Sequence, residues 1–328
     1  MEVLLPDVNG LISIFAFFPG SPGIHPIQMN SMYDICGVGH ITLDKVITPG
    51  SEKYMPGGTS YYFSNAIRHM PLNYLLVTSL GNTEMGSVEA LRLLGIHVNA
   101  YASAYSVYFE NIYGENPDHR TQRVLRKADP FTLEQVKDIN AKIFHLGPLL
   151  ADDMSVAFIK ELSARGQVSL DVQGFLRTVE NKNVVLTDWA DKRETLQYID
   201  ILKANDQEME VITGCSDIRK GAALLNSWGV KEVVITLGSK GSVLYVDGRY
   251  YDIPVFVPET IADTTGCGDT YMAGYLSQRI LGKGPQAAGE FASAMAALKI
   301  ESHGPFTGTA EDVFSFMERQ PDSEASVV

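Results

Sequence analysis

The sequence predicts an α/β fold: a central, mainly parallel sheet with helices on both faces, and a second, small sheet set apart from it. Three observations carry this. From Tyr33 onward, short apolar runs alternate with amphipathic segments, the rhythm of strand and covering helix. Two stretches, Asp44 to Gly58 and Val98 to Arg126, break that rhythm and read as extended chain. The length, 328 residues, suits one large open sheet folded as a single unit.

Residues 1–32 read as a flexible leader outside the fold, because FPGSPGIHP breaks any helix. Their apolar run LISIFAFF falls far short of the roughly 20 residues that span a bilayer. No Lys or Arg precedes Lys45, so the basic start of a secretory signal is missing, and Met29 or Met32 is an alternative start. Strands are expected at YDICGVG from 33, YLLVTSLG from 74, KIFHLGPL from 142, VSLDVQG from 168, ILKAN from 201 and VVITLG from 233. Between them Met154, Phe158 and Leu162 recur every fourth residue as one face of a helix, and Gly166 stops it. SVYFENIYG alternates apolar and polar residues as a strand of the small sheet does. Thr270 to Met317 is nearly all helical in pattern, and 318–328 reads as a flexible tail. The expected organisation is one domain over 33–317, its small sheet drawn from about 44–58 and 98–126.

Composition narrows the function. Twenty-six Lys and Arg against thirty-nine Asp and Glu give a net charge of −13 with no basic cluster. That argues against a nucleic-acid groove or an anionic membrane surface, so any anion must be held locally. Cys36, Cys215 and Cys267 form neither a disulfide framework nor a CxxC metal site, which fits the reducing cytoplasm. The seven histidines form no HExxH motif, and His40 and His145, flanking strands, read as packed rather than catalytic. Arg120, Arg123 and Arg126 read as solvated or salt-bridged.

The most informative segment is DTTGCGDTYMAGYLSQRILG, from Asp263 to Gly282. Gly266 and Gly268 allow a tight turn, and Met272, Leu276 and Ile280 then recur as a helix's buried face. A turn that opens a helix presents free N–H groups, and the helix dipole adds to their pull on phosphate oxygens. Asp269 falls in the first turn, where it either serves the dipole or accepts a proton from a hydroxyl attacking phosphorus. Cys267, at the same helix start, is either a small residue or an acidified, oxidation-sensitive thiol.

DTTGCGD followed by a helix resembles the second signature of the PfkB, or ribokinase-like, carbohydrate kinases, matching at Asp263, Gly266, Gly268 and Asp269. The family usually carries a small residue where this chain has Cys267. The resemblance spans roughly Tyr33 to Met317 and implies a ribokinase-like three-layer αβα fold with a small β-lid. It also implies that Asp269 is the catalytic base and that the backbone of Gly266, Cys267 and Gly268 stabilises the transferring phosphoryl group of ATP. LKANDQE resembles the family's NxxE segment, placing Lys203 and Asn205 on the nucleotide and Glu208 on Mg²⁺ through water. TLGSKG is similar to the strand-to-loop element that lines the nucleotide, pointing to Thr236, Gly238 and Gly241. GVGHITLD resembles the first strand, whose closing Asp, here Asp44, grips substrate hydroxyls. PGGTSYYFSNAIRHM resembles the first signature, with Gly57 and Gly58 against the polyol and Asn65 as a substrate ligand, further from the glycine pair than the family's Asn. DVQGFLR places Asp171, Gln173 and Arg177 near the sheet's C-terminal edge and resembles the inositol-kinase branch, with Gln173 toward substrate. A K⁺ ion at Asp263 and Thr265, with Gly304 completing the loop, and a homodimer through lid strands are further implications.

Other readings fit less well. GVGHIT starts like a dinucleotide-binding turn, but Thr42 stands where the third glycine belongs. The chain contains no GxxxxGK[ST] P-loop and no HRD or DFG of protein kinases. The expected activity is transfer of the ATP γ-phosphoryl group to a hydroxyl of a sugar or polyol. An inositol or nucleoside kinase of the same fold, or a non-catalytic sugar-binding sensor, are the alternatives. Fructose phosphates, ribose, nucleosides, ketodeoxygluconate and inositols all remain open as the acceptor.

Overall fold

The computed structural model describes residues 32–113 and 120–320. The expected leader lies, but for Met32, outside the described residues, as does the tail from 321. In chain order the strands are β1 (Tyr33–Val38), β2 (Thr42–Thr48), β3 (Ser51–Gly57), β4 (Tyr74–Leu80), β5 (His97–Ala102), β6 (Val107–Tyr113), β7 (Arg120–Arg126), β8 (Ala141–Leu146), β9 (Gln167–Asp171), β10 (Arg177–Glu180), β11 (Asn183–Leu186), β12 (Ile201–Asn205), β13 (Glu232–Thr236), β14 (Ser242–Val246) and β15 (Arg249–Ile253). The helices are α1 (Thr59–Ile67), α2 (Met85–Leu93), α3 (Val156–Ser163), α4 (Lys192–Thr195), α5 (Asp206–Thr213), α6 (Ile218–Ser227), α7 (Cys267–Ile280), α8 (Pro285–Ile300) and α9 (Ala310–Arg319).

Nine strands form the main sheet in the order β15-β14-β13-β12-β9-β8-β1-β4-β5. From β13 to β5 neighbours run parallel, and at the other edge β14 pairs antiparallel with both β13 and β15. Central strands are covered on both faces, which is why their sequences read as apolar runs. In β1, Ile35 joins a core cluster that includes Phe63, Met272 and Phe291, while Cys36 and Val38 join the opposite cluster with Phe158, Met209 and Leu225. Helices α1, α7 and α8 therefore cover one face, and α3, α5 and α6 the other. Four helix starts carry side-chain caps, from Ser155, Asn205, Asp217 and Thr309. α1 and α7 begin instead on glycines, Gly58 and Gly266, with no side-chain cap.

The small sheet has six strands in the order β10-β11-β7-β6-β2-β3. Its inner side chains Val107, Phe109 and Val124 pack on Leu149 and Leu150, in the loop that follows β8 of the main sheet. β1 passes into β2 through only Gly39, His40 and Ile41. His40 is fully buried there, its Nδ1 2.9 Å from the Ser79 carbonyl and its ring stacked on Phe131 at 4.4 Å.

Three boundaries need correction. The lid does not include residues 98–102, because β5 pairs parallel with β4 at the edge of the main sheet. One face of an edge strand is exposed, so HVNAYA alternates like a lid strand. The lid gains β10 and β11, two four-residue strands too short to leave a pattern in the sequence. The last helix runs through Arg319, past the expected start of the tail at 318. Arg123 does pair with Glu110 at 2.9 Å, and Arg126 lies over the Tyr105 ring at 4.6 Å. Among the described residues no helix is long and apolar enough to cross a membrane.

Candidate active site

The turn before α7 is shaped by Gly266, whose φ of 78° lies in the left-handed region. A Cβ at Gly266 would lie 2.2 Å from the Tyr62 ring. Tyr62 belongs to α1, so the glycine lets the starts of α1 and α7 meet. No side chain caps α7 and the Cys267 amide turns back to the Thr264 carbonyl at 3.3 Å, which leaves the amides of Gly268 and Asp269 at a helix start whose dipole favours an anion. Gly268 follows on the side of Lys203, whose Nζ would be 3.1 Å from a Cβ there.

Beneath the turn four charged groups gather at the C-terminal ends of β9 and β12. Lys203 and Asp171 are register partners on these strands, and their side chains form an ion pair of 2.9 Å with both groups almost wholly buried. Burial pulls the Lys203 amine down, but Asp171, Glu208 and Asp269 outweigh it and hold the amine above its usual range. Burial and the nearby Asp171 charge push Asp269 up to about 7, against the opposing pull of Lys203, the Thr59 hydroxyl and Arg177. A carboxyl held near 7 by a desolvating site is a candidate proton acceptor. His145 lies beside the cluster, stacked on Phe63 at 4.3 Å, and burial lowers it to about 4. It is neutral and packed.

The NxxE residues do local work first. Asn205 Oδ1 accepts from the Glu208 amide and Glu208 Oε2 accepts from the Asn205 amide, a reciprocal cap that starts α5. Burial and Asp171 raise the Glu208 carboxyl, while Lys203 opposes them. Glu208 keeps a second oxygen beside the cluster. Among the described residues no three His, Cys, Asp or Glu gather as a metal cage. That donor set suits Mg²⁺, which keeps its waters and travels with substrate phosphates.

Thr236 ends β13, and Gly238 and Gly241 shape the short turn to β14, with φ of 59° and 84°. A Cβ at Gly241 would collide with the Ile253 carbonyl at 2.1 Å. Val255, Val257 and Ile261 stay exposed on the segment leading from β15 to the anion turn.

On the lid side, Asp44 Oδ1 accepts from the Thr42 hydroxyl at 2.6 Å, and a Cβ at Gly57 would lie 2.5 Å from Asp44 Oδ2. Gly58, with φ of 90°, comes within 2.7 Å of the His40 carbonyl by the same measure. Burial, followed by the charges of Asp263, Asp44 and Asp269, raises Tyr62, so this ring sits between the lid corner and the anion turn. Gln173 lies in the turn after β9, its amide donating to Asp171 Oδ1 at 3.1 Å. Asn65 needs correction as a substrate ligand: it is 3% exposed and its Nδ2 donates to the Tyr61 carbonyl within α1. Asn111 and Gln122, which the sequence did not single out, face each other across β6 and β7 at 2.9 Å. They share the face of Phe109 and Val124 and lie beside Val46, one strand repeat beyond Asp44.

Two further expectations change. The helix start does not acidify Cys267; burial, with Asp263 and Asp269 nearby, pushes the thiol up to about 12 despite Lys299. At Asp263, the partner is a lysine. Lys299 Nζ donates to the Asp263 carbonyl at 2.7 Å and lies 3.4 Å from Oδ2, while Oδ1 accepts from the Thr265 amide at 2.9 Å.

An uncapped anion turn, a carboxyl held near neutrality beside it and a small sheet over the same edge define a phosphate-handling enzyme of the αβα type. The profile of the pfkB family carbohydrate kinases matches residues 126–312, more than half of the chain, and the chain belongs to that family. It is 28% identical to a cytidine kinase of Thermococcus kodakarensis over 75% of this chain and 88% of that protein. It is 36% identical to a nucleoside kinase of Methanocaldococcus jannaschii over 83% and 92% of the two chains. Among solved structures, a pyrophosphate-dependent kinase of the ribokinase family, complexed with a pyrophosphate analogue and myo-inositol, superposes with a TM-score of 0.76 at 26% identity, covering 86% of this chain and 99% of that one.

Two measurements follow from this geometry. Gly266→Ala is expected to lose about 1–3 kcal/mol of stability in a denaturant titration, since its Cβ meets Tyr62 and its φ is left-handed. Gly282→Ala, left-handed but with nothing within 4 Å of its Cβ, is the milder control. Mild peroxide at neutral pH is expected to leave Cys267 unmodified by mass spectrometry; rapid sulfenic acid formation there would contradict a raised thiol.

Proposed function

We propose that this kinase moves the γ-phosphoryl group of ATP to a hydroxyl of a sugar, polyol or nucleoside, with Asp269 as the general base. The observation that carries it is Asp269 itself: a carboxyl near 7 in the first turn of α7, next to amides open to phosphate. The acceptor hydroxyl gives its proton to an Asp269 carboxylate oxygen as its oxygen bonds to the γ-phosphorus. The bond from that phosphorus to the bridging oxygen breaks, and ADP leaves with the electron pair. The Gly266 and Gly268 amides neutralise charge on the moving group, joined by that of Cys267 once it leaves the Thr264 carbonyl, and Lys203 adds positive charge from below. Mg²⁺, held through water by Glu208 and Asn205, would neutralise the donor phosphates when bound. Asp44 with Thr42 and the Gly57–Gly58 backbone orients the acceptor, and the lid keeps water from competing. A binding-only sensor leaves the desolvated carboxyl of Asp269 without a role.

The donor has a second candidate, because the solved structures at 25–27% identity include pyrophosphate-dependent kinases. The exposed Val255, Val257 and Ile261 support ATP, since pyrophosphate offers nothing for an apolar strip beside its site to cover. Side-by-side assays should show at least tenfold higher kcat/KM with Mg·ATP. A preference for pyrophosphate would reassign the donor and leave Asp269's role standing. For the acceptor, Asn111 and Gln122 offer one free donor and one free acceptor toward a hydroxyl beyond the one at Asp44. Asn111→Leu should raise acceptor KM roughly tenfold while leaving the KM for ATP near wild type.

Asp269→Asn is expected to lower kcat by roughly 10²–10⁴ with ATP binding retained, and undiminished turnover would remove the assignment. For the wild type, kcat/KM should rise with pH through about 7 and level off above it, as the base must be unprotonated. The stability effect has the opposite sign. Asp269's folded pKa lies above its unfolded value of 3.8, so its contribution is full below 3.8 and is lost as pH rises through about 7. Asp269→Asn should therefore melt no lower than wild type at pH 8, which separates catalytic loss from unfolding.

A further inference from the structure

We propose that the ammonium of Lys299 is a built-in monovalent cation that holds the phosphate-binding turn in shape, so that this chain works without potassium. The inference rests on the reading of that turn as the phosphate site. It departs from the expectation that Asp263 and Thr265 hold K⁺, and the departure comes from what already fills the place.

Lys299 lies in the last turn of α8 and is fully buried. Its Nζ donates to the Asp263 carbonyl at 2.7 Å and stands 3.4 Å from Asp263 Oδ2. Carbonyl and carboxylate oxygens are the ligands a bare K⁺ would need, and here both face an amine. The Asp263 carboxylate also accepts from the Thr265 amide through Oδ1 and from the Gly304 amide through Oδ2 at 3.2 Å. The Ala262 and Asp263 amides bond to the Ile300 carbonyl at 2.9 and 3.2 Å. One charge pair, its lysine fully buried, thus ties together the end of α8, the loop at Gly304 and the segment that enters Gly266. That arrangement fixes the direction in which the turn presents its amides.

Charge balance gives the physical reason. Asp263 and Lys299 neutralise each other, the neighbouring Cys267 thiol and Tyr62 phenol are neutral, and Asp269 adds no cation. Burial raises the Asp263 carboxyl, but the Thr265 amide and hydroxyl, Lys299 and the Gly304 amide outweigh it and keep the group ionised. Adding K⁺ would set a second positive charge against the one carboxylate that the fully buried Lys299 amine already neutralises, which is unfavourable without further anions. A tethered amine also cannot dissociate, so the turn stays ordered at any salt composition.

The test uses full-length enzyme in a tetramethylammonium buffer free of K⁺, Na⁺ and ammonium. It reads kcat, the KM for Mg·ATP and melting temperature as KCl, NH₄Cl or LiCl is added. Wild type is expected to show a flat response to K⁺ in kcat and in melting temperature. Lys299→Ala removes the charge and opens space for an ion. Its kcat should fall roughly 10–100-fold without added cation, the scale on which groups that orient a binding site act. K⁺ or ammonium should restore activity and raise its melting temperature saturably, and Li⁺ should not. Lys299→Met fills the space with apolar atoms and should resist rescue. Stimulation of wild type by K⁺, full activity of Lys299→Ala without a cation, or a folded Lys299→Ala that no cation rescues would each overturn the proposal. If Lys299→Ala does not fold in the cation-free buffer, recovery of folding with K⁺ supports the proposal and failure to recover overturns it. If wild type transfers phosphate to no alcohol, the phosphate reading of the turn falls, while the melting response to K⁺ still decides the role of Lys299.

Discussion

Three carboxylates share the ground beneath the anion turn with one buried amine and the charge of Arg177, and the site depends on that balance. Lys203 is committed to Asp171, its register partner on the neighbouring strand, at 2.9 Å. Glu208 and Asp269 then compete for what remains of its positive charge. Burial is the largest influence on Asp269, and Lys203 and Arg177 offset it only in part, so its carboxyl stays a good proton acceptor. Without Lys203, burial and the remaining acids would hold it protonated. The parallel pairing of β9 and β12 therefore sets the proton affinity of a residue that belongs to neither strand.

Backbone freedom at two glycines is the second requirement. Gly58 and Gly266 both have left-handed φ, and both open a helix that no side chain caps. Side-chain caps take up the first amides of other helices, whereas these two starts converge with no side chain on theirs. Tyr62 fills the wedge between them and forbids any Cβ at Gly266. Thr59, in the first turn of α1, bonds to Asp269 in the first turn of α7. Packing of the two helices thereby positions acceptor and donor sides by one contact.

The main sheet was legible because strands buried on two faces are predominantly apolar, as in YLLVTSL, and even ILKAN departs from this only at its functional end, Lys203 and Asn205. β5 was misplaced for the converse reason: an edge strand with a wet face looks like lid. The turn at Gly266 was legible because its chemistry lies in consecutive residues. Tyr62, Thr59, Asn111 and Lys299 were not, since each acts across a distance in sequence that only folding closes. Lys299 is the clearest case. Lys near the end of a helix ordinarily reads as a solvent-facing residue that suits the dipole, and nothing local shows that this one points inward to Asp263. Cys267 failed differently: its helix start was read correctly, but the burial that overrides the dipole is a property of the surroundings.

The three residues between β1 and β2 constrain how the lid can move. His40, fully buried and stacked on Phe131, pins this connection at the centre of the main sheet. A flap swinging freely about that root would have to expose an imidazole and break its bond to Ser79. Entry of the acceptor must then come from flexing of strands far from the root, such as the exposed rim of β3, with the floor under Asp44 held still. Such a cover breathes at its margin like a page bound along its spine, and the residues that first touch the acceptor do not travel while it arrives.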